Sequence, residues 1–175
     1  MQLSQAMQDF ILHWGEMGAK WGTNRSVAQI HALLHVLDRP LTADEIAETL
    51  NLARSNVSTG LKELQGWGLV ASRRELGDRR DHFTSVRDMH ELVMIVIRER
   101  REREYAPTLA ALKRVADEAR TDGTPKANIA RIDETLETMQ LFDDWYQDVM
   151  RLPRSVHRMA LKMGAKITRF LPKSE

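Results

Sequence analysis

Cysteine is absent from this 175-residue sequence, and long apolar runs are absent as well. Without cysteine the chain can form no disulfide, no thiolate nucleophile and no cysteine-ligated zinc or iron–sulfur site. The longest apolar run, residues 92–97, is far shorter than the roughly 20 residues that cross a bilayer. Residues 1–6 lack the basic start and apolar stretch of a signal peptide. We therefore expect a cytoplasmic protein with no membrane span.

The chain is 42% hydrophobic and 29% charged, as expected for a globular protein, and its net charge of +1 conceals an uneven distribution. Residues 1–37 and 38–87 are each neutral, residues 88–150 carry a net charge of −5, and residues 151–175 carry +6. From Arg54 to Arg87 there are seven basic residues and four acidic ones. A local basic surface that binds a polyanion is therefore compatible with the balanced total.

Two short helices joined by a three-residue turn are predicted in the middle of the chain. Thr42 and Glu45 have the spacing of a capping box at the start of a helix over residues 43–50. A second helix is predicted over residues 54–66, ending at Gly66. Two strands, residues 69–74 and 82–86, then flank a glycine-containing and charged tip. The parts are those of a winged helix-turn-helix, although a polar surface helix beside a solvated hairpin in another all-α protein would read similarly.

The remaining segments are predicted to be helical, which makes the fold mainly α with a small β-hairpin wing. Apolar residues at spacings of three and four indicate two helices within residues 1–37. No helix breaker interrupts residues 88–105, so residues 92–97 are read as helix rather than strand. Pro107 should kink or restart this helix, and Thr124 with Pro125 should begin the next. Apolar residues from Ile129 to Val149 form a seam that suits either an intramolecular core or, as we favour, a dimer interface.

Four stretches of this sequence match a known family. Residues 40–47, 55–58, 67–70 and 77–83 resemble the GbsR branch of the MarR-type transcriptional regulators, and the likeness extends from the first helix to about Phe142. The resemblance implies a homodimer with intertwined terminal helices, which places two winged helix-turn-helix lobes on successive major grooves of double-stranded DNA. It further implies repression of genes for osmoprotectant uptake and synthesis, with choline or a similar small molecule as effector.

The resemblance also implies which residues contact DNA. The matching recognition helix carries Arg54, Ser55, Asn56, Ser58, Thr59 and Lys62, and the matching wing carries Arg73, Arg74, Arg79 and Arg80. Asp78 corresponds to an acidic residue that braces the wing by pairing with an arginine. Ala53 departs from the family, in which a serine commonly caps this helix, so the helix start should be less firmly fixed.

Other kinds of site are less well supported by the sequence. His31 and His35 have an i, i+4 spacing that can hold a metal, with His13 as a conceivable third ligand, but we predict no metal site and no cofactor. No catalytic constellation is evident, so an enzyme is not expected. The aromatic residues could contribute to a cage for a quaternary ammonium ligand, although aromatics at helical spacing are more often core. The candidates for such a cage are Trp14, Trp21, Phe83, Trp145 and Tyr146.

The sequence therefore predicts a cytoplasmic, homodimeric DNA-binding repressor in four segments. Residues 1–37 form supporting helices, residues 38–87 the DNA-binding domain, residues 88–150 the linker and dimerisation helices, and residues 151–175 a basic tail helix. The tail could pack within the dimer, contact phosphates, or lie on a membrane surface. The alternative function is a protein–protein or membrane-surface interaction module on a winged-helix scaffold.

Overall fold

A computed structural model describes residues 2–167 of the chain. The chain divides into two compact units at the junction of Arg100 and Arg101. The finer division into four functional segments remains a prediction. No helix among the described residues is long and apolar enough to cross a membrane.

The first unit is a winged helix-turn-helix domain with flanking helices. Its elements are α1 (Gln5–Lys20), α2 (Arg25–Val36), β1 (Leu41–Thr42), α3 (Ala43–Leu50), α4 (Arg54–Gly66), β2 (Val70–Arg74), β3 (Asp81–Ser85) and α5 (Met89–Arg100). The bounds of α3 and α4 are those that the sequence predicts, and residues 92–97 are helical as expected. Helix α1 continues through Gly15 and Gly18 to Lys20, and neither of these glycines adopts a positive φ.

Local side-chain chemistry fixes the turn between α3 and α4. Thr42 and Glu45 form the complete capping box that the sequence predicts, with each side chain bonded to the other residue's backbone N–H. Asn51 ends α3 in the left-handed conformation with φ of 51°, which asparagine tolerates better than most residues. The chain then passes directly into α4, so the two helices meet across residues 51–53.

The wing is part of a three-stranded antiparallel sheet with the order β1-β3-β2. Leu41 pairs with Phe83 in β3, and Val70 of β2 pairs with Ser85. The sequence predicts the β2–β3 hairpin but not β1, because a two-residue strand carries no alternating pattern. Beyond β3, the Val86 N–H donates to the Leu69 carbonyl at 3.0 Å, and the Val86 carbonyl lies 3.2 Å from Nδ1 of His35. The base of the hairpin is thereby tied to α2.

Helix α2 lies at the centre of the core of this unit. Its residues Ile30, Leu33 and Leu34 are fully buried and belong to one apolar cluster with Ile46 of α3 and Val57 of α4. Burying such a side chain contributes about 1.5–3 kcal/mol relative to leaving it exposed. The helix-turn-helix is therefore held by its inner face, which leaves the outer face of α4 available for a ligand.

All regular elements of the second unit in its described part are helices. A π-helical turn (Arg101–Tyr105) leads into α6 (Ala106–Ala119), and α7 (Lys126–Arg151) and α8 (Arg154–Ile167) follow. Pro107 lies in the first turn of α6, where its missing N–H costs no hydrogen bond, so the helix restarts there. Helix α6 packs against α7, and Tyr105 Oη donates to the Met139 carbonyl at 2.7 Å.

The start of α7 differs from the prediction, whereas the predicted tail helix is found. Thr124 does not cap α7, because its hydroxyl donates to the Asp122 carboxylate at 2.6 Å, and Pro125 is the N-cap rather than the first helical residue. The predicted tail helix is present as α8, and the rest of it, residues 168–175, lies outside the described residues.

Candidate nucleic-acid interface

Helix α4 has one buried face and one polar face. Val57, Leu61 and Leu64 are buried against the core. The six residues proposed from the sequence to contact DNA lie away from that core, with Ser58 half-buried and the other five exposed: Arg54, Ser55, Asn56, Thr59 and Lys62. Short polar side chains on an exposed helix allow the backbone to approach base edges in a major groove. The polar face is therefore chemically suited to read DNA.

The first turn of α4 has no side-chain cap. Ala53 is the N-cap residue and provides no side-chain hydrogen bond to the helix, in contrast to the threonine that caps α3. Instead, Arg54 at the first helical position donates through Nε to Oδ1 of Asp44 in α3 at 2.6 Å. Helix termini leave four backbone N–H groups without intrahelical partners, and an anion can satisfy them.

The arginines of the wing differ in how they are engaged. Arg73 pairs with Glu75 at 3.4 Å, and Arg74 pairs with Asp81 at 3.2 Å. Arg79 is exposed and forms no ion pair with any described residue. Among the four wing arginines, Arg79 therefore has the guanidinium best able to reach an external phosphate or a minor groove.

Asp78 organises the tip of the wing. Its carboxylate accepts hydrogen bonds from the backbone N–H of Arg80 at 2.9 Å and from Nη2 of the same arginine at 2.6 Å. His82 Nε2 lies 3.2 Å from Oδ2 of this carboxylate, the same oxygen that accepts from Nη2 of Arg80. The hydrogen bonds from the Arg80 side chain, above all, hold the pKa of Asp78 well below its usual range. Gly77 adopts a φ of 86°, which only glycine adopts readily, and so permits this tight turn.

A further hydrogen bond connects the wing to the recognition helix. Gln65 Nε2, near the end of α4, donates to Ser72 Oγ in β2 at 3.1 Å. Sequence reasoning did not identify Gln65, Asp44 or His82 as parts of this surface. For Asp44 the signal is weak, since it is separated from Arg54 by ten positions across a turn. For His82 the sequence offers the i, i+4 spacing from Asp78, which becomes meaningful only once the hairpin closes.

The first unit also contains an apolar cavity of about 440 Å³. Trp14 and Trp21, both proposed from the sequence for a ligand cage, line it together with Trp67. Arg100 provides the one charged side chain among its described lining residues, and donates to the Trp21 carbonyl.

The other three aromatic residues proposed for the cage lie elsewhere. Phe83 is buried in the core of the first unit, where it pairs with Leu41 in the sheet. Trp145 and Tyr146 are on α7 in the second unit, and Arg101 lies 5.2 Å from the centre of the Tyr146 ring. The structure therefore brings together two of the five aromatic residues.

His31 borders the same cavity. Burial, with a smaller contribution from the neighbouring His35, lowers the pKa of His31 from 6.5 to about 4, so the ring is neutral at physiological pH. Its ring stacks at 6.0 Å on His35 and lies 6.1 Å from Trp14. Nε2 of His31 is buried and has no hydrogen-bond partner among the residues that the structure describes. Within the described part of the chain, no three histidine or carboxylate side chains are grouped so as to hold a metal ion.

Comparison with known proteins agrees with this architecture. Residues 21–81 match the family model described as "MarR family". Over 160 residues the chain is 26% identical to the HTH-type transcriptional repressor GbsR of Bacillus subtilis (strain 168), covering 87% of this chain and 83% of that protein. A crystal structure described as that of a transcriptional regulator superposes with a TM-score of 0.62 at 21% identity, covering 83% of this chain and 95% of the other. The match to the family model includes both helices of the helix-turn-helix and most of the wing, so this part of the chain is similar to the MarR family of winged helix-turn-helix transcriptional regulators.

Proposed function

We propose that this protein is a homodimeric, cytoplasmic repressor without catalytic activity that binds a pseudo-palindromic operator in double-stranded DNA. The observation that carries the proposal is the exposed polar face of α4 beside a wing whose Arg79 is not engaged in an ion pair with the described residues. Helix α4 enters the major groove and reads base edges through Ser55, Asn56 and Thr59. Repression then follows from competition with RNA polymerase for the promoter.

Lys62 on the reading helix and Arg79 on the wing supply the phosphate contacts. Lys62 is exposed near the middle of α4, and Arg79 is at the tip of the wing. Arg80 has a different role, because its Nε and Nη2 are both taken by Asp78. It therefore stiffens the wing, and Arg79 makes the outward contact with phosphate or the minor groove.

Dimerisation rests on exposed apolar side chains in the second unit. Leu141, Phe142 and Trp145 of α7 are each at least 60% exposed, an unusual exposure for three large apolar residues so close in sequence. The seam residues Ile132, Leu136 and Met139 of the same helix are half-buried. A second copy of the chain would cover the exposed face, and two-fold symmetry would match the two halves of a palindromic site.

The apolar cavity is the proposed effector site. Tryptophan faces attract a quaternary ammonium group by about 0.5–2 kcal/mol per contact, which favours choline or a related osmoprotectant. The lining includes Arg100 and no carboxylate, however, so a purely cationic ligand would meet a like charge there. We therefore propose a zwitterionic osmoprotectant, with its ammonium group on Trp14 and Trp21 and its carboxylate towards Arg100. Thermal denaturation with choline, a betaine and an uncharged analogue tests this, and stabilisation by the betaine above the other two is expected.

Fluorescence anisotropy tests the DNA-binding function directly. The purified protein is titrated against its own upstream promoter fragment and a scrambled fragment of equal length, each at two salt concentrations. We expect the promoter fragment to bind roughly a thousandfold more tightly. The double variant Arg79→Ala with Arg80→Ala should lose most of this affinity. Equal, weak and strongly salt-dependent binding of both fragments would contradict specific regulation through this promoter.

The alternative function, an interaction module, has one observation in its favour. Helix α8 exposes Met159, Leu161 and Met163 and carries basic residues such as Arg158 and Lys162. Such a helix can lie on an anionic membrane surface. Sedimentation of the protein with anionic but not neutral vesicles, together with no DNA preference, would support this alternative.

A further inference from the structure

Asp44 of α3 and Arg54 of α4 form an ion pair directly beside the proposed DNA-reading face. Nε of Arg54 donates to Oδ1 of Asp44 at 2.6 Å, and both side chains are more than half exposed. Asp44 engages Arg54 from the side, and the terminal nitrogens Nη1 and Nη2 make no hydrogen bond with the described residues. These two nitrogens are the fork with which an arginine binds a phosphate or a guanine edge in bidentate fashion.

Arg80 is engaged differently from Arg54, whereas Arg74 of the wing resembles Arg54 in that its Nε donates to Asp81, at the longer distance of 3.2 Å. Asp78 occupies Nε and Nη2 of Arg80 together, which uses one complete edge of the guanidinium. Asp44 occupies only Nε of Arg54. An arginine has a flexible side chain, and ordering it costs conformational entropy that must otherwise be met when the ligand binds. A carboxylate that fixes Nε removes part of this cost and leaves the fork free.

From this geometry, and resting on the proposed function, we infer that Asp44 is a positioning residue that orients Arg54 for its contact with DNA. The expected change in DNA affinity on removal of Asp44 is opposite to the change that charge alone would produce. Asp44 adds a negative charge next to a polyanion, and on charge alone its removal should strengthen binding. If Asp44 acts by orienting Arg54, its removal weakens binding instead.

The test is a double-mutant cycle with the full-length protein and the promoter fragment used above. We expect Asp44→Ala to weaken binding of the promoter about two- to fivefold, given the modest strength of exposed ion pairs. In an Arg54→Ala background the same substitution should weaken binding no further, since the residue through which it acts is gone. Asp44→Asn retains an oxygen that can accept from Nε and should recover most of the loss.

Glu48→Ala is the matched control, because Glu48 is an exposed acid on the same helix with no arginine partner among the described residues. It should bind DNA as tightly as the unmodified protein or slightly more tightly. Circular dichroism at the assay temperature verifies that every variant is folded. Asp44→Ala that binds as tightly as the unmodified protein or more tightly, or Asp44→Asn that is as weak as Asp44→Ala, would overturn the inference. An equal loss in the Arg54→Ala background would do so too.

The outcomes separate this inference from the proposed function. If the unmodified protein does not distinguish the promoter from the scrambled fragment, DNA regulation through this promoter fails, whatever Asp44 does. If it does distinguish them and Asp44→Ala strengthens binding, only the positioning role fails.

Discussion

Arg101 and Asp143 form a two-point ion pair within the helical second unit. Nε and Nη2 of Arg101 donate to the two oxygens of Asp143 at 2.7 and 2.9 Å, and Asp143 is 7% exposed. The hydrogen bond from Arg101 outweighs the effect of burial and lowers the pKa of Asp143. The pair fastens the π-helical turn to α7.

Asp143→Ala should therefore lower the free energy of unfolding by about 2 kcal/mol, the usual contribution of hydrogen bonds to charged groups. Urea denaturation at fixed protein concentration measures the change. Asp144→Ala is the control, because the carboxylate of Asp144 is next to Asp143 in the sequence but is exposed. Equal stability of the two variants would show that the ion pair contributes nothing.

Gly60 and Gly66 of the recognition helix should respond oppositely to alanine. A Cβ on Gly60 would lie 2.8 Å from Cδ1 of the buried Ile30, whereas a Cβ on Gly66 meets no atom within 4 Å. Gly60→Ala should destabilise the protein by about 1–2 kcal/mol, since overpacking outweighs the gain in helix propensity. Gly66→Ala should be neutral or stabilising by up to about 1 kcal/mol. Thermal denaturation of both variants checks the contrast, and stabilisation by Gly60→Ala would refute the packing argument.

The buried His31 should make stability depend on pH. Its pKa is lowered from 6.5 to about 4 by burial, so between these values the unfolded chain binds a proton that the folded protein does not. The contribution of the neutral His31 to the free energy of unfolding is therefore fully present above pH 6.5. It is lost as the pH falls towards 4, and the total loss is about 3 kcal/mol. His31→Leu should flatten this part of the urea-denaturation profile. A profile that keeps its full slope in His31→Leu would assign the effect to another group.

Asp78 should matter for DNA binding although we propose no contact between its own side chain and DNA. Asp78→Ala removes the acceptor of the Arg80 backbone and side-chain hydrogen bonds, so the wing tip loses its fixed shape. We expect about a tenfold loss of promoter affinity, corresponding to roughly one charge-assisted hydrogen bond. Glu75→Ala removes another wing acid that only pairs with Arg73, and it should bind with unchanged or higher affinity. If Asp78→Ala and Glu75→Ala strengthened DNA binding equally, the loss of negative charge alone would explain both results and the bracing role of Asp78 would be rejected.

The features predicted correctly from the sequence are those with a local cause. Thr42 and Glu45 are three residues apart, and their reciprocal capping depends on nothing distant. The unbroken helix over residues 92–97 follows from the absence of a breaker before Tyr105. Local patterns therefore sufficed for the helix-turn-helix and the hairpin.

The features that escaped prediction depend on distant partners or on fine hydrogen-bond geometry. The strand β1 exists only because Leu41 finds Phe83 across the sheet. The π-helical turn differs from an α-helix by a shift of hydrogen-bond partner that composition does not encode. Likewise, the burial of His31 and the gathering of Trp14, Trp21 and Trp67 around one cavity follow from the packing of several helices.

The attachment of the wing has a mechanical consequence. The hairpin is attached at its base, where the Val86 N–H donates to the Leu69 carbonyl and the Val86 carbonyl lies beside His35. Its free end is stiffened by the hydrogen bonds between Asp78 and Arg80. Leu69 also lines the apolar cavity, so a molecule that displaced Leu69 would tilt the whole β2–β3 hairpin. A rigid hairpin converts a small displacement at its base into a larger one at Arg79, so under the proposed function a ligand in the cavity would change the position of the wing tip.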